Sequence, residues 1–179
     1  MSGSAPSPPR RRAAPTRSSP STLEDEKLEL AERFGASVAV NARRGDPVEQ
    51  VREATGGGVD FAFDCIGLSS TTRQALQMAR PGEWTVDRGG VAVLVGWPTA
   101  DASVDALDLV VGEKQLVGSA GGSVRPERDF PIFYEWHRQG LLDLAALVTE
   151  RWTLDEIGTA VDRLAAGKVL GRSVLEFPS

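Results

Sequence analysis

The hydrophobic pattern of this chain alternates between helical and strand periods from about residue 24 to residue 122. Apolar residues recur at helical spacing in some stretches, and short runs rich in Val, Ile and Phe separate them. The predicted elements are, in order, a helix ending at Gly35, a strand at 37–41, a helix from Pro47 to Gly56, a strand within Gly58–Gly67, a helix at Thr71–Arg80, a strand at Val91–Gly96, a turn or short helix at 104–111 and a strand at Gln115–Ser119. Such alternation predicts βαβ units and a parallel sheet.

The helix ends carry recognisable capping signals. Ser21 or Thr22 can cap the first helix, and Ser69 or Ser70 can cap the helix that follows Gly67. Pro47 stands directly after Asp46, which is typical of a first helical position. These signals support the predicted boundaries independently of the apolar periodicity.

The last third has a different pattern. An aromatic helix is predicted at about Glu127–Gln139, and Pro131 inside it predicts a late start or a kink. A strand is predicted at 148–152. Thr153 and Glu156 then form a capping box for a helix to about Ala166, and Arg172–Phe177 is predicted as a closing strand.

The stretch Gly58–Gly67, reading GVDFAFDCIG, is the centre of the pattern. Its apolar residues predict a buried strand of a parallel sheet, and ligands bind such sheets just beyond the carboxyl ends of the strands. Gly67 is therefore the first position at which to look for a cofactor. The alternative is a core strand with a turn glycine and no ligand. Cys65 is expected to be a small buried side chain. Nothing nearby in the sequence would activate its thiol.

Composition narrows the classes of function. The chain has 179 residues and 41% hydrophobic residues, enough for a core, but no apolar run near the roughly 18 residues of a membrane span. Its single cysteine excludes an internal disulfide, and the reducing cytoplasm is the expected compartment. His137, the only histidine, is expected to be a surface or packing residue. No membrane partner is expected.

Charge is unevenly distributed. The net charge is −5, but residues 1–22 carry four arginines and no acid, which leaves −9 for the remainder. An acidic body argues against a nucleic-acid partner. The Ser-, Pro- and Arg-rich residues 1–22 are predicted to be a disordered tail; the same composition is also typical of a transit peptide.

Four segments resemble, in order, the C-terminal half of the zinc-type, medium-chain alcohol dehydrogenases. They are EDEKLELAERFGA, GVDFAFDCIG with its helix, GGVAVLVGWP, and ALVTERWTLDEIGTAVDRLAAGK with RSVLEF. The resemblance implies an α/β fold: a truncated Rossmann-like parallel sheet with a C-terminal helical and strand extension. It divides the chain into the tail (1–22), a partial dinucleotide-binding domain (23–121) and a segment that in the family packs on the catalytic domain (122–179).

The resemblance also implies cofactor-binding residues for NAD or NADP. Lys27 would lie near the adenosine ribose, and Arg172 would meet the pyrophosphate, a role that suits the planar guanidinium. Cys65, Ile66 and Gly67, after one strand, would pass the adenine and ribose. Val95, Gly96 and Trp97, after the next, would line the nicotinamide, and Ser119 and Ala120, after the third, would meet its carboxamide.

Two features of the family are missing from this sequence. There is no G-x-G-x-x-G motif, and the acid that usually holds the ribose hydroxyls would fall near Thr22. The family uses zinc, but one Cys and one His cannot supply the roughly three protein ligands that catalytic zinc requires. The resemblance implies hydride transfer between an alcohol or aldehyde and NAD(P). The two missing features leave open whether this chain is itself an enzyme.

Three hypotheses follow. The chain is a dehydrogenase relative with little activity alone; or it is a non-catalytic interaction module; or the true start lies upstream and supplies the missing half. As a module it would form a homodimer or pair with a full-length subunit through the Val117–Ser119 edge. In the usual strand order, the strand at 37–41 would have no neighbour, and the Gly58–Gly67 strand would expose an open edge.

Overall fold

A computed structural model describes residues 21–22 and 25–177 of the chain. Helices and strands alternate along this part. They are β1 (Ser21–Thr22), α1 (Asp25–Arg33), β2 (Val40–Asn41), α2 (Pro47–Thr55), β3 (Phe61–Asp64), α3 (Ser69–Met78), β4 (Val91–Leu94), α4 (Ala106–Val111), β5 (Gln115–Gly118), α5 (Pro126–Arg138), β6 (Val148–Thr153), α6 (Ile157–Ala165) and β7 (Arg172–Glu176). Short 3-10 turns lie at Ala120–Ser123 and Leu154–Glu156. The predicted alternation and the α/β class are confirmed.

The strands form three separate parallel sheets. The central sheet has the order β3-β4-β5, and β1 pairs with β2 while β6 pairs with β7. In the central sheet Ala62 pairs with Ala92 and Ala92 with Leu116. Parallel direction brings the carboxyl ends of β3, β4 and β5 to one edge, where the predicted cofactor residues follow.

The β1–β2 pair corrects one expectation. Ser21 and Thr22 form a short strand, and Ser21 pairs with Val40 while Thr22 pairs with Asn41. The expectation that the strand at 37–41 would have no neighbour is therefore wrong, and the predicted tail is ordered at its last two residues. The backbone groups of a strand need partners, and the extended residues just before α1 supply them here. The predicted disorder of the tail otherwise concerns residues 1–20, which lie outside the described residues.

One face of the central sheet holds the core. Ala62, Ala75, Leu76 and Ala92 form a buried cluster between the sheet and α3. Lys114 lies beside it with a buried side chain, 2.9 Å from Asp108 Oδ2, and donates a hydrogen bond to the carbonyl of Leu76. This ion pair, buried at Lys114 and partly exposed at Asp108, fixes the end of α3 to α4 and to the start of β5.

The opposite face of β3 is uncovered within the described residues. Phe61 and Phe63 are each 62% exposed, and their sheet neighbours Val91, Val93 and Val117 continue the same apolar face. The prediction of a strand buried on both faces is therefore wrong. Alternation places Phe61 and Phe63 on the face away from α3, where no described element packs. β3 pairs with β4 alone among the described strands, so its outer edge is open, as predicted.

Two of the four capping predictions are confirmed. Asp46 accepts a hydrogen bond from Val48 N at 2.8 Å, and Gly56 ends α2 in the left-handed conformation. Glu156 accepts from Thr153 N at 2.9 Å. The expectation for Ser69 and Ser70 is wrong, because both are already helical residues of α3. The expectation that Ser21 or Thr22 caps the first helix is also wrong, because both belong to β1 and α1 begins only at Asp25.

The C-terminal segment is joined by polar contacts around Glu150. Its carboxylate accepts hydrogen bonds from Arg163 at 2.6 Å, Ser173 at 2.9 Å and Trp152 at 3.2 Å. The guanidinium of Arg163 lies 5.9 Å from the centre of the Trp152 ring. These contacts hold α6 on the β6–β7 pair.

The aromatic helix α5 contains Pro131 within its span and presents exposed aromatic side chains. Phe130 is 57% exposed and Tyr134 is 62% exposed. Phe133 packs against Phe130 and Trp136 with its ring tilted by 41° and 48°. No helix in the described part of the chain has the length and apolar character that crossing a membrane requires.

Candidate functional site

The candidate site is a shelf formed by the residues that follow β3, β4 and β5. Gly67 turns the chain after β3 with φ +86°, and Gly96 follows β4 beside it. A Cβ added at Gly96 would lie 2.5 Å from Gly67 N and Ile66 C, and one added at Gly67 would overlap the carbonyl of Trp97. Only glycine at both positions permits this approach of one turn to the other.

Hydrogen bonds bring the three strand ends into register. Val95 N and Gly96 N both donate to the carbonyl of Asp64, at 2.9 and 2.8 Å, and Ser119 N donates to the carbonyl of Leu94 at 2.8 Å. The segments after β3, β4 and β5 are therefore contiguous.

Apolar side chains are exposed on this shelf. Ile66 is 58% exposed and Trp97 is 85% exposed, whereas Gly67 itself is buried. Val95 is half-buried, and Ala120 is exposed at the start of the 3-10 turn. An exposed aromatic ring next to a backbone-lined turn can pack against a flat heterocycle.

Cys65 differs from its expectation. Its side chain is exposed, since it follows the last residue of β3 and points away from the core. Partial burial of the thiol and the negative charge of Asp64 both raise the pKa of Cys65. The thiol is therefore not activated for nucleophilic chemistry, as expected.

Lys27 and Arg172 each donate a hydrogen bond to a backbone carbonyl in the C-terminal part of the chain. The ammonium of Lys27 donates to the carbonyl of Gly167 at 3.1 Å. Arg172 is exposed at the start of β7, where its guanidinium donates to the carbonyl of Gly171 at 3.1 Å. No hydrogen bond or ion pair among the described residues joins Arg172 to Gly67, Gly96 or Ser119.

An open cavity of about 650 Å³ lies at the carboxyl end of β2. Asp25 accepts hydrogen bonds there from Asn41 and Arg44, each at 2.7 Å. The bond from Asn41, together with the charge of Arg44, holds the pKa of Asp25 below its ordinary value. Arg43 and Lys168 add positive charge to the wall, a feature that the sequence did not predict.

Asp64 is the site residue that the sequence reasoning missed. Its carboxylate is buried, with Oδ1 accepting from Ile66 N and Gly67 N at 3.0 Å and Oδ2 accepting from the Thr72 hydroxyl at 2.9 Å. The available signal was an acid at the last position of an otherwise apolar strand, eight residues before a threonine in the next helix.

Zinc does not fit the residues that are present. The described residues contain no group of three or more His, Cys, Asp or Glu side chains that could hold a metal ion. A dinucleotide with flat rings fits better. The shelf offers exposed apolar side chains, backbone groups at three strand ends, and a close approach of two turns that only glycines permit.

Parallel strands joined by helices, with glycine turns at their carboxyl ends, define a Rossmann-like α/β protein. The sequence model described as zinc-binding dehydrogenase matches residues 21–138. The chain therefore belongs to the zinc-binding dehydrogenase family, and its resemblance to the C-terminal half of the medium-chain alcohol dehydrogenases is confirmed.

Curated relatives agree with this assignment. The chain is 36% identical over 155 residues to an S-(hydroxymethyl)glutathione dehydrogenase of Synechocystis, which covers 84% of this chain and 40% of that protein. It is 32% identical over 153 residues to alcohol dehydrogenase-like 5 of Arabidopsis thaliana, covering 83% of this chain and 38% of the relative. The chain thus spans about two fifths of the length of these relatives.

Solved structures give the same result for the fold. Benzyl alcohol dehydrogenase from Acinetobacter calcoaceticus superposes with a TM-score of 0.80 at 27% identity, covering 91% of this chain and 43% of that chain. A zinc-binding domain protein of the alcohol dehydrogenase type from Burkholderia ambifaria gives a TM-score of 0.81 at 28% identity, covering 92% and 42%.

Proposed function

We propose that this chain provides part of a dinucleotide site in an alcohol dehydrogenase-type oxidoreductase. The observation that carries the proposal is the backbone contact of Gly67 with Gly96 and Trp97 at the carboxyl ends of adjacent parallel strands. Family membership supports it. When bound, the nicotinamide ring supplies the hydride acceptor or donor for an alcohol or aldehyde.

The residues of the shelf would bind and orient this cofactor. Ile66 and Trp97 would cover its apolar surfaces and exclude water, and the backbone after β5, at Ser119 and Ala120, would meet the carboxamide. Cys65, Gly67, Val95 and Gly96 would contribute backbone rather than reactive groups. Lys27 and Arg172 would hold the ribose and the pyrophosphate, which requires each to reach beyond its present partner. No step is assigned to zinc, since the residues present do not fit it.

Binding of NADH and NADPH to the full chain by calorimetry tests the proposal, with thermal unfolding followed in parallel. Saturation at 100 times Kd adds about 2.7 kcal/mol to the free energy of unfolding, which corresponds to a rise of about 5–10 °C in Tm. Arg172→Met should weaken binding, whereas Arg73→Met, an exposed arginine on α3, should not. A folded chain that binds neither nucleotide overturns the proposal.

The open edges of the central sheet favour a second candidate, an interaction module. Within the described residues β5 pairs with β4 alone, and Val117 on β5 is 39% exposed. The edge at Val117–Ser119 would pair with a second copy or with a dehydrogenase subunit. Light scattering should then give a dimer that Val117→Lys converts to a monomer; a monomeric wild-type chain that also binds no added dehydrogenase subunit contradicts this candidate.

We propose the cytoplasm as the compartment of this protein, because a single cysteine can form no internal disulfide. Fractionation of cells that express the full chain tests this assignment. Recovery in an organelle fraction would contradict it and would favour the transit-peptide interpretation of residues 1–22.

A further inference from the structure

Asp64 contacts both turns that form the shelf. Its side chain accepts two backbone hydrogen bonds from the turn after β3, and its own carbonyl accepts two from the turn after β4. Its second carboxylate oxygen accepts from Thr72 in the first turns of α3. One residue therefore links two turns and a helix.

The chemistry of these contacts requires an acceptor that is charged or strongly polar. Two backbone N–H groups converge on Oδ1 at 3.0 Å, which a carboxylate satisfies and an apolar side chain would leave unpaired. The carboxylate is 4% exposed, so water cannot replace it freely. Without it, Ile66 N and Gly67 N lose the acceptor that both of them share.

We infer that Asp64 is the positioning residue of the dinucleotide shelf, setting the orientation of Ile66 and Gly67 against Gly96 and Trp97 without touching the cofactor. This inference rests on the proposed function, because the shelf is the proposed cofactor surface. Asp64 acts through the backbone of its neighbours. Its removal should therefore lower cofactor affinity in a chain that is still folded.

A graded set of variants tests this role. Asp64→Asn keeps an oxygen that accepts from Ile66 N and Gly67 N, and should weaken NADH binding about threefold. Asp64→Ala keeps no acceptor and should weaken it more than tenfold, so the conservative variant rescues most of the affinity. Thr72→Val keeps the shape of the side chain but removes the hydroxyl, and should fall between them.

A destabilised variant with an intact shelf is the matched control. Leu76→Ala removes a core side chain toward the other end of α3 and should lower Tm without changing Kd measured below its transition. Dissociation constants are compared at a temperature at which every variant is folded. A merely structural role would lower Tm in the Asp64 variants and leave Kd unchanged.

The outcomes separate this inference from the proposed function. If the wild-type chain binds neither nucleotide, the proposed function fails, and the inference fails with it. If the wild type binds and Asp64→Ala binds equally well, the inference alone is overturned. If Asp64→Ala does not fold, Asp64→Asn and Thr72→Val decide, and wild-type affinity in both overturns the inference.

Discussion

The ammonium of Lys27 donates a hydrogen bond to the carbonyl oxygen of Gly167 at 3.1 Å, across 140 positions of the sequence. Lys27 lies on the first helix, and Gly167 follows α6 in a left-handed conformation with φ +71°. The contact joins the first βα unit to the C-terminal segment. In this structure Lys27 has a structural role in addition to the proposed ribose role.

We expect Lys27→Met to lower the free energy of unfolding by about 1 kcal/mol, and Tm by about 2–4 °C, because the carbonyl of Gly167 loses a charged donor. Thermal unfolding followed by circular dichroism measures the change. Arg73→Met removes an exposed charge with no described partner and should shift Tm by less than about 1 °C. Equal shifts in Tm for the two variants would show that the contact between Lys27 and Gly167 does not contribute to stability.

Gly67→Ala should be one of the more destabilising glycine substitutions. Alanine at positive φ costs about 1–2 kcal/mol, and its Cβ would overlap the carbonyl of Trp97, so we expect a total of about 3 kcal/mol or more. Gly140→Ala is the matched control, since Gly140 has φ +70° and no atom within 4 Å of an added Cβ. Denaturant unfolding compares the two, and equal losses would contradict the packing of the shelf.

Lys114→Met should lower the free energy of unfolding by about 2–4 kcal/mol. The side chain of Lys114 is 2% exposed, and its removal leaves Asp108 and the carbonyl of Leu76 without their donor. Adding Asp108→Leu should restore part of the loss, since no unpaired charge then remains. A double-mutant cycle with no coupling between the two positions would refute this account.

The pH dependence of stability should carry a contribution from Asp64. Burial raises its pKa, but the hydrogen bonds from Gly67 N, Ile66 N and the Thr72 hydroxyl outweigh burial and hold the pKa below the ordinary value of 3.8. A lowered native pKa means that the contribution is complete above the unfolded pKa and is lost as pH falls through the native one.

The measurement is the difference in the free energy of unfolding between the wild type and Asp64→Asn. This difference should be constant from about pH 7 to pH 5 and should shrink below about pH 4. Comparing the two proteins cancels the other carboxylates, which titrate in the same range. A difference that grows as pH falls would give Asp64 the opposite role.

The local structure of this protein could be predicted from its sequence because local signals determine it. The Asp46–Pro47 cap, the Thr153–Glu156 pair and the positions of the strands all follow from interactions within a few residues. The parallel sheet was predicted from the alternation of helices and strands, and parallel direction alone brings the carboxyl ends of neighbouring strands to one edge. Family membership came from the same ordered segments.

The tertiary structure decided which surfaces are covered and which polar groups are paired. Phe61 and Phe63 share one face by strand period, but only packing shows that no described element covers that face. Packing also decides that Cys65 is exposed. It likewise pairs β2 with β1, whose two residues the composition places in the tail. Asp64 shows the limit most clearly. Its bonds from Ile66 N and Gly67 N span only two and three positions, but the bond from Thr72 and the contact of this turn with Gly96 depend on how α3 and β4 pack against β3.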